Sequence, residues 1–134
     1  MVEMELNKIV INEKRHDQLI VLKEKKGERL LPIVIGLSEA SAIKMKIGGF
    51  NPPRPLTHDL LYSMIKDLEA DLEKIVIDRL EEHTFFAKLI VKSDAGKTKA
   101  IDARPSDSIA LAVRANVPIF VEEAVIKQAE VFNK

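Results

Sequence analysis

Cysteine and tryptophan are absent from the 134 residues of this chain, and tyrosine occurs once, as Tyr62. Without cysteine the chain has no disulfide framework, no thiolate zinc site and no cysteine nucleophile. With one tyrosine and no tryptophan it offers no evident platform on which nucleobases stack. Four of the five phenylalanines are expected to serve the core or an interface: Phe85, Phe86, Phe120 and Phe132.

Long hydrophobic runs and an excess of either charge are also missing. No window holds 18 consecutive apolar residues, which argues against a membrane-spanning helix. Residues 1–5 do not show the basic region and apolar run of a signal peptide. Basic and acidic residues number 21 each, so only a local basic patch would attract nucleic acid or an anionic membrane. We expect a cytoplasmic domain. Its Lys- and Glu-rich composition either is that of heat-adapted proteins or is chance in a short chain.

What the chain contains is sufficient for one domain over residues 1–134. Hydrophobic residues make up 46% of it and charged residues 31%, which suits a sizeable core and a soluble surface. Three strand-like runs separated by short polar turns come first, at 2–12, 17–25 and 30–35. Pro32 cannot donate a hydrogen bond to a sheet, so the third strand either is free on one side there or begins at Pro32.

Two helices are predicted after these strands. Ser38 is expected to cap the first, which ends at Gly48. A proline-rich loop at 51–55 precedes the second helix, which Thr57 caps and which runs to about Glu69. The apolar residues of the second helix fall on one face: Leu60, Leu61, Met64, Ile65 and Leu68.

The second half of the chain repeats this order. Its predicted elements are strands at 71–80, 84–93 and 98–102, a helix over 107–115 capped by Ser106 and ended by Asn116, an extended piece at 117–120 and a helix at 122–131. An offset of 68 residues aligns Ser38 with Ser106 and Gly48 with Asn116. We predict an α+β fold in which a three-strand, two-helix unit (1–69 and 70–134) is duplicated and forms a mixed sheet flanked by helices. The alternative is that two unrelated units share the same turn and cap residues.

An Arg-Pro pair precedes a helix in each half, at Arg54 and at Arg104. A helix N-terminus presents unpaired N–H groups and partial positive charge to an anion, and an arginine just upstream adds two hydrogen bonds to a phosphate. Three carboxylates and one imidazole lie close to these pairs along the chain: Asp59, Asp102, Asp107 and His58. Carboxylates hold Mg²⁺ or act as a general base, and histidine exchanges protons near neutral pH. These residues are the components of a phosphate-handling site.

A purely structural interpretation explains the same residues. Acids in a first helical turn stabilise the helix dipole by about 0.3–1 kcal/mol without any function, and proline is common at helix starts. Arg54 and Arg104 can pair with nearby acids, Glu39 among them, and lock the helix starts into the fold. His16 and His83 fall in predicted hairpin turns and are expected to be solvated.

Five runs of the sequence carry a resemblance to a known family: LPIVIG at 31–36, RPLTHDLL at 54–61, TFFA at 84–87, IDARPSDSIALA at 101–112 and VPIFV at 117–121. In this order they resemble the bifunctional nuclease domain, many of whose bacterial members are conserved uncharacterised proteins. The resemblance covers almost the whole chain. It implies an α+β fold that forms homodimers, and a nuclease activity on RNA and DNA named from plant members linked to defence. Bacterial members often carry a further small C-terminal segment, which we expect to be absent or removed here.

For phosphodiester hydrolysis we expect a mechanism assisted by Mg²⁺ or Mn²⁺. The expected site residues are Asp102, Asp107, His58 and Asp59 for catalysis; Arg54, Arg104, Thr57 and Ser106 for the phosphate; and Asp102, Asp107 and Glu39 for the metal. A single site built from these residues requires the loops at 52–59 and 102–107 to meet, within a subunit or across a dimer. The competing hypotheses are a non-catalytic dimeric module whose Arg-Pro loops bind an anionic ligand or a protein, and arginines that only brace the dimer. Internally satisfied Arg104 and Asp102 would favour bracing, and a cleft with unpaired carboxylates would favour chemistry.

Overall fold

The computed structural model describes residues 1–12, 14 and 17–132, with side chains up to residue 130. The strands in this part of the chain are β1 (Val2–Val10), β2 (Asp17–Glu24), β3 (Leu30–Gly36), β4 (Ala70–Glu81), β5 (Thr84–Ser93), β6 (Thr98–Ala103) and β7 (Ile119–Val121). The helices are α1 (Leu37–Ile47), α2 (Thr57–Asp67), α3 (Pro105–Ala115) and α4 (Glu123–Phe132). The predictions for His16 and for the side chain of Phe132 concern positions outside the described residues.

The strands of the described chain form one mixed sheet in the order β3-β2-β1-β7-β4-β5-β6. Each half contributes an antiparallel meander, β1 to β3 and β4 to β6. The short strand β7 joins them, antiparallel to β1 and parallel to β4. The predicted α+β fold with a mixed sheet is confirmed, and the duplication stays a prediction. Pro32 lies within β3 at the edge of the sheet, so the strand is free on one side as the first alternative had it.

Alternate side chains of the strands point toward the helices and build one core. Ile20, Ile33 and Ile75 pack there with helix residues such as Ile43 and Ile109. Two bulges in β4 shift its register, and after the second one Leu80 again faces the core. Phe85, Phe86 and Phe120 are half-buried: Phe85 packs against the core, the guanidinium of Arg79 lies 4.1 Å from the ring centre of Phe86, and the amine of Lys74 lies 5.4 Å from that of Phe120. His83 is exposed in the β4–β5 turn, as expected.

The helices begin upstream of the predicted caps. Gly36, Leu56 and Arg104 occupy the N-cap positions of α1, α2 and α3, and none of them caps through a side-chain hydrogen bond. Ser38, Thr57 and Ser106 instead lie inside the first turns, so their assignment as caps was wrong. At α3 the ring of Pro105 supplies the helical φ angle one residue earlier. Asn116 ends α3 in the left-handed conformation with φ 57°, as predicted.

The apolar face predicted for α2 lies away from the core. His58 is the buried residue of this helix, whereas the side chains of Leu60, Met64 and Leu68 are exposed, Leu68 by 76%. An apolar face of this extent on a surface helix is typical of an interaction surface. Every helix in the described part of the chain falls short of the length and hydrophobicity that crossing a membrane requires.

Candidate functional site

The first turns of α1, α2 and α3 meet around Arg104, because α3 packs against both other helices. They surround an open cleft of about 510 Å³, which we call the helix cleft. Its polar lining includes Ser38, Glu39, Thr57, His58, Arg104 and Asp107. The loops at 52–59 and 102–107 therefore approach each other within one chain.

Arg104 bridges two carboxylates at the mouth of the helix cleft. Its Nε–H donates to Asp107 Oδ2 at 2.9 Å, and Nη2–H donates to Glu39 Oε1 at 3.0 Å. The side chain of Arg104 is nevertheless 67% exposed. The guanidinium is thus held in place from the protein side and is open to solvent on the other.

His58 is buried against the same carboxylate. Its Nε2 lies 2.9 Å from Asp107 Oδ1. Burial raises the pKa of Asp107, but the hydrogen bonds from Arg104 and His58 outweigh it and hold that pKa below its usual range. An ionised carboxylate only accepts hydrogen bonds, so Nε2 of His58 carries a proton and Nδ1 is the basic nitrogen of the neutral ring.

Asp59 belongs to a separate ion pair. Arg114 Nε–H donates to Asp59 Oδ1 at 2.6 Å, and the N–H of Leu56 donates to Oδ2 at 3.0 Å. Burial opposes ionisation of Asp59, but these two hydrogen bonds lower its pKa. The side chain of Arg114 is only 3% exposed, so the pair joins the end of α3 to the start of α2 inside the protein. Asp59 lines a neighbouring cleft of about 350 Å³ rather than the helix cleft.

Three further predicted site residues lie outside the helix cleft. The side chain of Asp102 is 77% exposed on β6, where Lys88 Nζ lies 3.4 Å away. Arg54 is exposed in the proline-rich loop and has no ion pair among the described residues. Ser106 is buried and lines another cleft on the far side of Arg104. Thr57 does line the helix cleft, as do His58, Arg104, Asp107 and Glu39.

The carboxylates expected to bind a metal do not converge as a set of three. Within the described residues, no three His, Cys, Asp or Glu side chains are grouped so that they could hold an ion. Glu39 and Asp107 share the guanidinium of Arg104, while Asp102 on β6 is paired with Lys88 of the neighbouring strand β5. Metal binding itself stays a prediction, and the helix cleft offers two carboxylates for it.

Sequence reasoning missed Arg114, the buried partner of Asp59. Arg114 stands near the end of an otherwise small and apolar helix, whose buried members include Ile109, Ala110 and Leu111. A single cation in such a stretch is the signal that could have indicated a buried ion pair, because buried charges are normally paired. The sequence does not indicate which carboxylate is the partner.

The fold and the site define an α+β domain with a charged cleft formed by three helix N-termini. Residues 20–134 match the family model of the bifunctional nuclease domain, and the chain belongs to this family. It is 44% identical over 129 residues to an uncharacterized protein of Mycobacterium tuberculosis, covering 96% of this chain and 76% of that protein.

Plant proteins are more distant relatives. Over 109 residues the chain is 29% identical to Bifunctional nuclease 2 of Oryza sativa subsp. japonica, covering 79% of this chain and 34% of the plant protein. Over 107 residues it is 28% identical to Bifunctional nuclease 1 of Arabidopsis thaliana, covering 78% of this chain and 33% of that protein. The chain thus spans about one third of these plant nucleases.

Proposed function

We propose that this domain hydrolyses phosphodiester bonds of RNA or DNA with the assistance of Mg²⁺ or Mn²⁺. One observation carries the proposal: the helix cleft assembles a guanidinium, an imidazole and two carboxylates from three helices, namely Arg104, His58, Glu39 and Asp107. Membership in the bifunctional nuclease domain family and the names of the plant relatives support it.

Arg104 is the phosphate-binding residue in this proposal. Its Nε–H and Nη2–H groups are engaged by Asp107 and Glu39, which fix the plane of the guanidinium. The two N–H groups on Nη1 have no acceptor in the part of the chain that the structure describes. They are available to a phosphate oxygen, whose growing negative charge in the transition state strengthens these hydrogen bonds.

His58 is the general base. Asp107 accepts the hydrogen bond from Nε2–H and so leaves Nδ1 to take a proton from the attacking water. The same pairing stabilises the imidazolium that forms after proton transfer, because the Asp107 carboxylate is ionised at neutral pH.

The charge of the cleft supports metal assistance. Glu39 and Asp107 together exceed Arg104 by one negative charge, which disfavours an incoming polyanion unless a cation compensates. Mg²⁺ is usually held by one or two carboxylates together with substrate phosphate oxygens, so Glu39 and Asp107 would suffice as protein ligands without Asp102. Such an ion would supply charge neutralisation at the phosphate.

The test is a cleavage assay with matched variants. Wild type, Arg104→Ala and His58→Gln are incubated with labelled single-stranded RNA, single-stranded DNA and duplex DNA, each in EDTA, Mg²⁺ and Mn²⁺. Arg79→Ala is the control, because Arg79 stacks on Phe86 away from the helix cleft. We expect metal-dependent cleavage that falls by about 10²-fold or more in both cleft variants and is unchanged in the control.

Thermal unfolding of all four proteins shows whether each variant is folded. Cleavage that is equal in every protein would identify a contaminating nuclease and remove the evidence for an enzyme. The absence of cleavage by wild type in every metal arm would overturn the proposal.

A second candidate function is a non-catalytic homodimeric module that binds an anionic ligand or a protein. It is favoured by Arg54 of the first Arg-Pro pair, which is exposed and has no ion pair among the described residues, so its guanidinium is open to an anion. The exposed apolar face of α2, which includes Leu60, Met64 and Leu68, supports a homodimer in either case. Light scattering at several protein concentrations tests the dimer, and binding of a labelled oligonucleotide without cleavage would favour this candidate.

A further inference from the structure

The free edge of β3 borders the cleft on the far side of Arg104, which we call the edge groove. Its volume is about 530 Å³. Residues 32–36 of β3 line it, facing Leu80, Thr84 and Phe85 of the β4–β5 hairpin. Successive side chains of a strand point to opposite faces of the sheet, so a cleft on one face would border only every second residue. A cleft that borders five consecutive residues therefore runs along the edge of the strand. The edge groove therefore has the length of about five extended residues, roughly 17 Å.

The pairing of β2 with β3 shows which backbone groups face the edge groove. The N–H of Glu24 donates to the carbonyl of Arg29 at 3.0 Å, so this antiparallel pair is hydrogen-bonded. Hydrogen-bonded pairs recur at every second position, and the register continues them through Ile33. The residues between these positions turn their backbone groups to the free edge: Pro32, Val34 and Gly36. Pro32 lacks an N–H, but Val34 presents both an N–H and a carbonyl.

The edge groove combines apolar walls with charged groups at one end. Leu80, Phe85 and Ala129 supply apolar lining away from β3. At the Gly36 end lies Asp17, the cross-strand partner of Gly36, which has no ion pair within the described residues. Glu39 folds back against Gly36, where its Oε2 would lie 2.5 Å from a Cβ.

Among the described residues, acidic groups outnumber basic ones around this end. Arg104 lines it, but Glu39 and Asp107, which line the helix cleft on the other side of Arg104, already share that guanidinium. Counting these two and Asp17, three described carboxylates stand near one arginine. A basic group is therefore favoured there and a carboxylate is not.

We propose that the edge groove binds an extended peptide segment, which adds to the sheet beside β3 and places a basic group at the Gly36 end. Backbone hydrogen bonds to Val34 and Gly36 supply affinity, and alternate side chains of the peptide contact Leu80 and Phe85. An antiparallel strand begins at the Gly36 end, so its N-terminal amine and first side chain lie beside the carboxylates. The β4–β5 hairpin forms the opposite wall, so the added strand lies between β3 and that hairpin.

The proposal goes beyond phosphodiester hydrolysis and does not depend on it, because Val34 and Phe85 are not part of the helix cleft. The two functions are therefore separable by mutation. A variant altered at Val34 keeps whatever nuclease activity the wild type has.

The test uses the peptide Lys-Val-Thr-Val-Thr, with a free amine and a fluorophore at its C-terminus, and measures its fluorescence anisotropy with the full chain. Val34→Pro removes the N–H at the edge, and Pro32 already occupies the equivalent edge-facing position two residues earlier. Val34→Thr keeps the N–H and is the matched control. We expect saturable binding by wild type and Val34→Thr, and affinity at least about tenfold weaker for Val34→Pro. In amide hydrogen exchange, the peptide should protect the N–H groups of Val34 and Gly36.

Several outcomes would overturn the proposal. One is no binding by folded wild type at millimolar peptide. Another is equal binding by Val34→Pro. A third is equal binding of a peptide whose first residue is glutamate. Protection of the Val34 N–H that rises with protein concentration and needs no peptide would make a second copy of the chain the occupant instead.

Discussion

Replacing Arg114 by methionine removes the buried cation that joins α3 to α2. The side chain of Arg114 is 3% exposed, its Nε–H donates to Asp59 at 2.6 Å, and its Nη1–H donates to the carbonyl of Ala110 at 3.0 Å. Methionine retains much of the volume, so the main effect is the loss of compensation for the Asp59 carboxylate. Breaking a buried pair in this way costs about 3–5 kcal/mol. Asp59 is 32% exposed, so water offsets part of that cost, and we expect a loss of about 2–3 kcal/mol, or roughly 10 °C in Tm.

The pH dependence of this loss follows from the pKa of Asp59. Folding lowers that pKa below 3.8, its ordinary value. A group with a depressed folded pKa contributes stability above its unfolded pKa and loses that contribution as the pH falls through the folded value. Wild type should therefore exceed Arg114→Met in stability by the full amount at pH 7, and the difference should shrink below about pH 4.

Urea unfolding followed by circular dichroism measures both effects. Arg79→Met is the control, because Arg79 lies on the surface and its replacement should change stability by less than about 1 kcal/mol. A loss below about 0.5 kcal/mol for Arg114→Met at pH 7 would refute the reasoning. So would a loss of full size that stays constant down to pH 3.

Three further changes test other contacts. Gly36→Ala places a Cβ 2.5 Å from Glu39 Oε2, and because that carboxylate can move, urea unfolding should show a loss below about 1 kcal/mol. The displaced Glu39 should hold Arg104 less firmly, so the proposed phosphodiester cleavage should fall; unchanged cleavage would contradict the role of Glu39 in holding Arg104. Asn116→Val should lower the free energy of unfolding by about 1–2 kcal/mol in the same assay, because a β-branched residue is strained at φ 57°. Asn116→Gly should be as stable as wild type or more so, and equal stability of the Val and Gly variants would count against strain. Leu68→Glu should convert the expected dimer to a monomer in light scattering. It should do so without loss of stability, because the side chain of Leu68 is exposed. A wild type that is already monomeric at micromolar concentration would contradict the dimer.

The order of helices and strands could be predicted from local sequence signals. Polar turns separate the strands, Asn116 supplies the left-handed residue that ends α3, and Pro32 marks an edge strand. Each of these signals acts over a few residues of chain, so it is present in the sequence before any packing. The helix starts were less accurate, because Gly36, Leu56 and Arg104 end the preceding strand or loop without the side-chain hydrogen bond by which a cap is usually recognised.

The arrangement of these elements depends on distant parts of the chain. The extended piece at 117–120 became β7, which pairs with both β1 and β4 and so joins the two meanders into one sheet. The apolar periodicity of α2 indicates a helix with an apolar face, but α2 turns most of that face to solvent because α3 contacts it on the other side, around His58. Periodicity shows that a helix has an apolar face but not what the face packs against.

For the candidate site too, some features could be predicted from local sequence and others depend on packing. The chemical groups of the site could be predicted from the sequence, because Arg104, His58 and Asp107 stand next to recognisable helix starts, and the family could be predicted from runs that extend over most of the chain. Which groups act together depends on packing: α3 lies between α1 and α2, which joins Arg104 to Glu39 and His58 to Asp107. The same packing pairs Asp59 with Arg114 and leaves Asp102 on β6, where it contacts Lys88. The physical reason is that hydrogen bonds and ion pairs require approach within about 3–4 Å, a distance that the packing of elements far apart in the chain sets and that no local pattern encodes.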